Sequence, residues 1–349
     1  MTKEFRFGII GCGVISRTHA DEIQKIKGAK LVAVADVAAD CAKNMAEAYG
    51  VDGYSDYQDL LKREDIDIVN ILTPSGLRAE IAIAAAQHGK HIIAEKPIDV
   101  TYEKAVNMIQ ACREARVKLA VISQHRFDKS TVEVKDLVEK GKLGKLVLGE
   151  CAVNWYRTQD YYDSGAWRGT WAMDGGGALM NQSIHTIDLL QYLVGPVESV
   201  FAHTATLAHE RIEVEDVAVA TVKFKHGALG TIVGTTSAYP GLSSRLEVFG
   251  TSGSAVIEHD KLTHLYLKTA EPSSNLAAKN LDTPDPATVF GYAHGLQIED
   301  MMNAIREDRE PLVNGEEGLK PLEIILAIYE SARTGKEVTL PFKTVQTAQ

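Results

Sequence analysis

The sequence is poor in cysteine and contains no long apolar run, and both features exclude large classes of protein. Its four cysteines in 349 residues are scattered, without the C-x-x-C spacing of a zinc site or the density of a disulfide-stapled domain. No stretch reaches the roughly 18 apolar residues that a membrane-spanning helix requires. We therefore expect the cysteines to be small, reduced residues of the interior.

Positive charge is also scarce. The 37 lysines and arginines are outnumbered by 47 aspartates and glutamates, which gives a formal net charge of −10. No cluster of basic residues is present, so we expect neither nucleic acid nor a membrane as a partner. A small anionic substrate is still compatible, because a basic pocket does not require a basic protein. Charged residues in MTKEFRF stand where a signal peptide has its apolar run, so a cytoplasmic location is expected.

Strand-like and helix-like segments alternate through the first third of the chain. Short runs rich in isoleucine and valine, such as KLVAVAD and HIIAEKP, are separated by helical patterns that end in glycine, such as SRTHADEIQKIKG. This alternation predicts βαβ units and an α/β fold with a doubly wound parallel sheet, whose strands are covered on both faces. We assign residues 1–123 to this first domain.

Beyond residue 124 the pattern changes. Segments such as AVATVKFK alternate apolar and polar residues, as antiparallel strands with one wetter face do. Helical patterns cover residues 131–140, 177–194, 296–306 and 318–335. We assign residues 124–349 to a substrate-binding and oligomerisation domain of α+β type with a large, mostly antiparallel sheet. Its last helix is a candidate to pack back between the two domains.

The turn after the first strand has the spacing of a dinucleotide-binding loop. In GCGVIS, Gly11 permits the tight turn and Gly13 removes the side chain that would block a pyrophosphate. Ser16 replaces the third glycine and is small enough for helix–strand packing. Val14 and Ile15 open the following helix, whose positive end attracts phosphates. We therefore predict a Rossmann fold that binds its cofactor through Gly11, Gly13, Val14 and Ile15.

Asp36 ends the second predicted strand, where a carboxylate can accept the ribose hydroxyls of an adenosine. The same carboxylate would repel a 2′-phosphate, and no basic residue follows in DVAAD. The pattern predicts NAD as the cofactor in preference to NADP. The alternative is that Asp36 only caps the next helix.

Glu95, Lys96 and Pro97 follow a strand that begins near His91, so they lie at the carboxyl edge of the sheet, where ligands bind in open α/β folds. We expect Glu95 and Lys96 to be among the residues that bind the cofactor. Proline restricts Lys96 to an extended conformation. An ammonium group held there can stabilise a developing alkoxide while hydride leaves the carbon. The alternative is an ordinary solvated lysine.

Asn181 and His185 are four residues apart in a predicted helix, so they share one face. We expect them to face the cleft between the domains, with Gly175–Gly177 allowing close approach of the chain. An imidazole can accept a hydroxyl proton near neutral pH. The alternative is a core histidine on the apolar stripe around Ile187. The eleven histidines do not cluster at i, i+4 spacing, so we expect no metal.

The segment NWYRTQDYYDSGAWRGTW contains all three tryptophans of the chain. Aromatic faces can stack on sugar C–H groups, while arginines can bind a phosphate or carboxylate through two hydrogen bonds. We therefore predict substrate contacts from Tyr156, Arg157, Trp167 and Arg168, together with Asn181. The alternative is a hydrophobic lid or a subunit contact.

The motif GCGVIS, the stretch ILTPSGLRAEIAIAAAQHGKHIIAEKP and the stretch GGGALMNQSIH together resemble the glucose–fructose oxidoreductase/inositol dehydrogenase (Gfo/Idh/MocA) family over nearly the whole chain. Within it, the chain looks most similar to bacterial sugar and nucleotide-sugar dehydrogenases of the UDP-N-acetylhexosaminuronate type. The resemblance implies a two-domain NAD(P)-dependent oxidoreductase, commonly with another subunit on its sheet. It also implies that Thr73 and Pro74 line the cofactor, that Lys96 lies beside the nicotinamide, and that Asn181 and His185 occupy the D-x-x-x-H positions.

The chain departs from the family pattern at two positions. Asn181 stands where the family has an aspartate and cannot ionise, which shifts proton transfer onto His185. Arg78 follows the T-P motif in place of a histidine, which alters the local substrate contacts. Our hypothesis is that His185 removes the hydroxyl proton, Lys96 polarises that oxygen and Asn181 positions the sugar.

Three functions follow as alternatives. The first is an NAD-dependent dehydrogenase of a sugar, sugar acid, cyclitol or nucleotide sugar, working as a homodimer or homotetramer. The second is an NAD-dependent glycosidase that oxidises C3 transiently, eliminates the glycosyl group and returns the hydride. The third, a redox sensor that only binds NAD, is disfavoured because both Lys96 and His185 are present. The sequence does not select one sugar or one carbon.

Overall fold

The computed structural model describes residues 3–268, 276–277 and 286–341. Within them, residues 3–124 and 286–319 form one compact unit, and residues 125–268, 276–277 and 320–341 form another. The strands are β1 Phe5–Ile10, β2 Ala29–Ala35, β3 Asp52–Tyr54, β4 Ile68–Ile71, β5 His91–Ala94, β6 Leu119–Val121, β7 Leu146–Asn154, β8 Val197–Ala205, β9 Val217–Phe224, β10 Leu229–Thr235, β11 Ser244–Gly250, β12 Gly253–Glu258, β13 Lys261–Leu267, β14 Leu276–Ala277 and β15 Val338–Thr339. The helices are α1 Val14–Lys25, α2 Ala39–Tyr49, α3 Tyr57–Leu61, α4 Arg78–Gln87, α5 Tyr102–Glu114, α6 Lys129–Glu139, α7 Gln159–Asp163, α8 Ile184–Val194, α9 Pro286–Glu307 and α10 Gly315–Thr334.

The first unit is built on a six-stranded sheet in the order β3-β2-β1-β4-β5-β6. All of its strand pairs are parallel. Every residue of β4 is buried, as expected for a strand covered on both faces. This sheet confirms the predicted doubly wound α/β fold.

Helix α9 belongs to this first unit, although it lies far along the chain. Its residues Ile298, Met301 and Met302 are fully buried in one core cluster with Ile23 of α1 and Phe7 of β1. The helix is also longer than the predicted segment 296–306, because it spans Pro286–Glu307.

The second unit is built on a nine-stranded sheet in the order β14-β13-β12-β11-β7-β10-β9-β8-β15. Only β7 and β10 pair in parallel; the other pairs are antiparallel, which confirms the predicted mostly antiparallel sheet. Strand β9 alternates buried and exposed residues, so one face is packed and the other is open. Helix α8 contacts β7 and β11, and Val194 packs where a side chain on Gly149 would stand.

The predicted helix over 177–194 has two parts. Ala178–Ser183 is π-helical and is followed directly by α8. The Ser183 hydroxyl donates to the carbonyl of Ala178, five residues earlier, at 2.7 Å. Single π turns are frequent at functional sites. Among residues 3–268 and 286–341, none of the helices has the length and apolar content that crossing a bilayer would need.

Candidate active site

Four predicted site segments lie at one edge of the parallel sheet. Gly11 follows β1, Asp36 follows β2, Thr73 follows β4 and Glu95 follows β5. Backbone hydrogen bonds keep these strand ends level: Gly11 donates to Ala35 at 2.8 Å, and Glu95 donates to Ile71 at 3.0 Å. The predicted placement at the carboxyl edge is confirmed. This is the edge where open α/β sheets bind ligands.

The glycine turn after β1 has the backbone that a pyrophosphate requires. Gly11 has φ +99°, and a Cβ there would stand 2.8 Å from the carbonyl carbon of Leu72. A Cβ on Gly13 would meet nothing within 4 Å, and Val14 is 91% exposed, so the start of α1 is open. Ser16 is fully buried and its hydroxyl donates to the carbonyl of Gly13 at 2.6 Å, so it serves as the small packing residue.

Asp36 stabilises this turn through hydrogen bonds. Its carboxylate accepts the backbone N–H of Cys12 at 2.7 Å and that of Ala38 at 2.8 Å. The N-cap residue of α2 is Ala38, so helix capping does not explain Asp36. The half-buried carboxylate therefore joins the ends of β1 and β2 beside the glycine turn, which is where an adenosine ribose binds in this fold.

Glu95 lies beneath the lysine in a buried polar network. Its Oε2 accepts the backbone N–H of Lys96 at 2.9 Å, and its Oε1 is 3.2 Å from Nε2 of His19 and 3.8 Å from Nε2 of His294. Asn70 Nδ2 is 2.9 Å from the other nitrogen of His19, so an amide that donates there leaves Nε2 protonated toward Glu95.

Burial of Glu95 would raise its pKa, but the hydrogen bond from His19 and the charges of His294 and Lys96 hold it below the usual range. Glu95 is thus a buried anion, 5% exposed, behind the half-buried Lys96. These contacts are with protein groups, and the predicted cofactor contact of Glu95 stays a prediction. An anion there favours the charged form of the lysine.

Arg78 connects the two loops that flank this position. Its side chain is 6% exposed, and its guanidinium donates to the carbonyl oxygens of Thr73, at 3.1 Å, and Pro97. The T-P loop and the E-K-P loop are therefore held together by one buried cation. This accounts for an arginine at the position where the family pattern has a histidine.

In the second unit, Asn181 contacts a carboxylate. Its Nδ2 donates to Asp174 at 2.7 Å, and Asp174 is 2% exposed and also accepts the backbone N–H of Gly169 at 2.9 Å. The family aspartate is thus replaced by an amide, but a buried carboxylate lies one hydrogen bond away. Sequence reasoning missed Asp174, although it directly precedes the three glycines.

His185 is half-buried and is not part of the apolar core. Ile184 and Ile187 on the same helix are at most 2% exposed, whereas His185 packs edge-to-face on His125 with ring centroids 5.1 Å apart. Arg126, the neighbour of His125, forms a buried bidentate pair with Asp188, with N···O distances of 2.8 and 2.6 Å. This pair fixes the start of α8 against the segment that carries His125.

The absence of side chains on the glycines before the π turn leaves space that other groups of the protein fill. A Cβ on Gly177 would stand 1.9 Å from the carbonyl oxygen of Glu215, and one on Gly176 would stand 2.1 Å from the Tyr329 hydroxyl. Glu215 accepts the N–H groups of Gly177 and Leu179 at 2.9 and 2.8 Å. Burial raises the pKa of Glu215 to about 7 despite these hydrogen bonds.

The predicted aromatic stretch forms an arginine–aromatic cluster. The guanidinium of Arg168 lies 4.4 Å from the ring centre of Tyr161 and 4.5 Å from that of Trp167, and Arg157 lies 5.2 Å from Tyr161. Gln182 accepts from Arg157 at 2.8 Å and donates to the Tyr161 hydroxyl at 2.9 Å. Tyr161 and Gln182 were not among the predicted substrate residues, yet they connect the two arginines.

Tyr156 lies outside this cluster. It is 37% exposed and packs edge-to-face on Tyr239, with ring centroids 5.3 Å apart. The stretch therefore offers both exposed aromatic faces and stacked guanidinium groups, which is a surface suited to a sugar with an anionic substituent.

Two groups of histidines and carboxylates in the described part of the chain lie close enough to hold a metal ion: His19, Glu95 and His294, and His125, Asp128 and Asp260. Spacing of i, i+4 in the sequence does not indicate these two groups, because each group joins segments that are distant in the chain. Only His125 and Asp128, which are three residues apart in QHRFD, carried a local signal.

Comparison with known proteins agrees with this geometry. Residues 5–123 match the oxidoreductase family with an NAD-binding Rossmann fold, and residues 135–340 match the C-terminal alpha/beta domain of the same Gfo/Idh/MocA family. These matches include every predicted cofactor, catalytic and substrate position.

Characterised relatives cover nearly the whole chain. The NAD⁺-dependent scyllo-inositol 2-dehydrogenase of Bacillus subtilis (strain 168) is 29% identical, covering 99% of this chain and 99% of that protein. The levoglucosan dehydrogenase of Pseudarthrobacter phenanthrenivorans is 28% identical, with 88% and 89% covered. The crystal structure of the WlbA dehydrogenase from Bordetella pertussis, in complex with NADH and UDP-GlcNAcA, has a TM-score of 0.88 and 36% identity, and covers 98% of this chain and 100% of that one.

Proposed function

Because the chain belongs to the Gfo/Idh/MocA oxidoreductase family, whose Rossmann domain binds NAD, we propose that it oxidises a secondary hydroxyl of a sugar, sugar acid, cyclitol or nucleotide sugar. The observation that carries this proposal lies at one sheet edge. Asp36 stabilises an open glycine turn there, and Lys96, backed by the buried anion of Glu95, follows β5, two strands from β1 in the same sheet. The same sheet edge therefore presents a nucleotide-binding loop and a cation that can stabilise an alkoxide.

Residues 1–123 form the proposed NAD-binding domain, and residues 124–349 the proposed substrate-binding and oligomerisation domain. When bound, NAD supplies a hydride acceptor. The N–H groups of Gly13, Val14 and Ile15 bind the pyrophosphate, Asp36 accepts the ribose hydroxyls, and Thr73 and Pro74 line the cofactor. The open space at Gly13 supports this assignment, since a side chain there would obstruct the phosphates.

Lys96, His185 and Asn181 carry the proposed chemistry on the alcohol. The Lys96 ammonium donates a hydrogen bond to the reacting oxygen and stabilises its developing negative charge. His185 accepts the hydroxyl proton, and its half-buried position two residues after the π segment supports a role outside the core. Asn181 donates to the substrate or orients it, while Asp174 holds the amide in place.

A nucleotide sugar with an acidic group is the substrate class that we favour. The stacked guanidinium groups of Arg157 and Arg168 suit a carboxylate or phosphate, and the faces of Trp167 and Tyr156 suit a sugar ring. The similarity to a dehydrogenase solved with UDP-GlcNAcA supports the same choice.

We also propose that the protein is a cytoplasmic homodimer or homotetramer. Its four cysteines are unpaired, as in a reducing compartment. Phe201, Val219 and Leu229 are 38%, 50% and 59% exposed on one face of the large sheet, where a second copy would cover them. Sedimentation velocity tests this assembly: a dimer or tetramer mass is expected, and a monomer at enzyme-assay concentration contradicts it.

A substrate screen tests the proposed reaction. Purified protein is incubated with NAD and, separately, UDP-GlcNAcA, scyllo-inositol, levoglucosan and free sugar acids, and NADH is followed by absorbance. We expect NADH in proportion to ketone product, and most rapidly with UDP-GlcNAcA. Absence of NADH with every alcohol would contradict the proposed function.

Replacing Asp36 by serine is expected to weaken NADH binding by roughly 10–100-fold, because hydrogen bonds to a charged acceptor contribute about 1.5–3 kcal/mol each. The preference for NADH over NADPH should narrow at the same time, since the repulsion of a 2′-phosphate is removed. Fluorescence titration with both cofactors measures the two effects. Asp40→Ser, an exposed acid in the same segment, is the control and should bind both cofactors as the unaltered protein does. Unchanged NADH affinity in Asp36→Ser contradicts the assignment.

A further inference from the structure

Four titratable side chains form a continuous path in the second unit. The ring of His185 contacts the ring of His125, whose centroid is 5.1 Å away. Nδ1 of His125 is 2.7 Å from Oδ2 of Asp128 and 3.3 Å from Oδ1 of Asp260. The Asp260 side chain is 41% exposed, against 21% for His125 and 13% for Asp128, so the path leads from His185 to solvent.

The carboxylate of Asp128 contacts His125 instead of capping the N-terminus of α6. It is the N-cap residue of α6, but its side chain makes no capping hydrogen bond. An aspartate that caps a helix typically contributes about 0.5–2 kcal/mol, and here that contribution is replaced by the contact with His125. The carboxylate therefore binds the His125 imidazole and not the backbone at the start of α6.

Asp260 reaches His125 from a strained turn. His259 and Asp260 connect β12 to β13 as a two-residue hairpin, and both have positive φ, +46° and +61°. Glycine, asparagine and aspartate are the usual residues at such positions, and most other side chains are disfavoured by about 1–2 kcal/mol. The Ser130 hydroxyl donates to the carbonyl of Asp260 at 2.7 Å and holds the turn against α6. This hydrogen bond and the turn together place the Asp260 carboxylate beside His125.

We propose that His125, Asp128 and Asp260 form a proton exit route for His185. This inference rests on the proposed function, in which His185 accepts the hydroxyl proton. The proton passes from His185 through one water to Nε2 of His125, because Nδ1 faces the two carboxylates. His125 releases its Nδ1 proton to the Asp128–Asp260 carboxylates, and Asp260 delivers it to solvent. One proton leaves for each hydride transferred, and a flip of the His125 ring returns its N–H to the carboxylates before the next turnover.

The pKa of Asp128 suits its role as the acceptor of the His125 proton. Burial raises the pKa of Asp128, although the hydrogen bond to His125 opposes the shift and Asp260 adds to it. A carboxylate whose pKa lies closer to that of an imidazole accepts its proton with a smaller energy difference. Asp260, which is more exposed, then exchanges the proton with bulk water.

Asp260→Gly is the variant that separates this role from a structural one, because it removes the carboxylate and relieves the turn at the same time. His259→Gly, at the other position of the same turn, relieves strain but keeps the carboxylate. We expect both variants to be at least as resistant to thermal unfolding as the unaltered protein. Only Asp260→Gly should be impaired in proton release.

Stopped-flow measurements in weak buffer with a pH indicator follow NADH and the released proton together. The alcohol is whichever of UDP-GlcNAcA, scyllo-inositol and levoglucosan gives the most NADH. In the unaltered protein and in His259→Gly, proton and NADH should appear at the same rate. In Asp260→Gly, and more strongly in His125→Gln, the first turnover of NADH should be unchanged while proton release lags and the steady-state rate falls by roughly tenfold. Added imidazole should restore that rate.

Proton release that stays coincident with NADH in both Asp260→Gly and His125→Gln overturns the exit route and leaves the proposed dehydrogenase intact. A slower first turnover that imidazole does not restore would instead assign these residues a structural role, and it also overturns the route. Absence of NADH from the unaltered protein with all three alcohols removes the proposed function, and the exit route with it.

Discussion

Turnover in His185→Ala is expected to fall by about 10²–10⁴-fold, the usual contribution of a general base. Lys96→Ala is expected to lose roughly 10²–10³-fold, as when one donor to a developing oxyanion is removed. NAD affinity should change little in either variant, because neither side chain is assigned to the pyrophosphate or the adenosine. Steady-state kinetics and NADH titration measure the two quantities separately.

Matched variants distinguish these losses from damage to the fold. His226→Ala removes an exposed histidine of the turn between β9 and β10, and Lys104→Ala removes an exposed lysine of α5. Both controls should turn over at the unaltered rate. Near-normal turnover in His185→Ala or Lys96→Ala would remove the corresponding residue from the mechanism.

Asp188→Asn is expected to lower the free energy of unfolding of the second unit by about 3–5 kcal/mol, because it leaves the charge of Arg126 buried without its carboxylate. Arg126 and Asp188 are 1% and 2% exposed, so solvent cannot replace the lost partner. All three tryptophans lie in this unit, between residues 155 and 171, so urea unfolding followed by tryptophan fluorescence reports on it directly.

The matched control is Asp163→Asn. Asp163 forms a similar 2.7 Å contact with Arg211, but the two side chains are 40% and 61% exposed. Exposed ion pairs contribute little to stability, so the urea midpoint should remain nearly unchanged. Equal midpoints for Asp188→Asn and the unaltered protein would show that the buried pair does not anchor α8.

The parallel sheet could be predicted because most of its strands are short apolar runs, and because glycines such as Gly50, the C-cap of α2, separate the helical patterns from the strands. The sequence pattern does not predict strand β3, because Asp52–Tyr54 is short, polar and mostly exposed at the sheet edge. The membership of α9 in the first unit could not be predicted either. Packing of Met301 and Met302 against Ile23 joins segments that are far apart in the chain, and local periodicity does not specify such pairings.

The nucleotide-binding residues were accessible to sequence reasoning because each follows a recognisable strand. The polar groups behind them were not. His19 lies on a helix and Glu95 directly after a strand, and the patterns of both segments indicate only burial. Their 3.2 Å contact depends on how those elements pack. The same holds for Asp128 and Asp260, which reach His125 from a helix start and a hairpin turn.

Transfer of deuterium tests the central claim, hydride transfer from an alcohol carbon to NAD, most directly. The best alcohol of the screen is deuterated at the carbon that bears the oxidised hydroxyl, and NADH and product are analysed by mass spectrometry after a single turnover. We predict one deuterium in each NADH and a ketone product without it. Unlabelled NADH, or a cleaved glycoside that has regained the deuterium, would contradict the account.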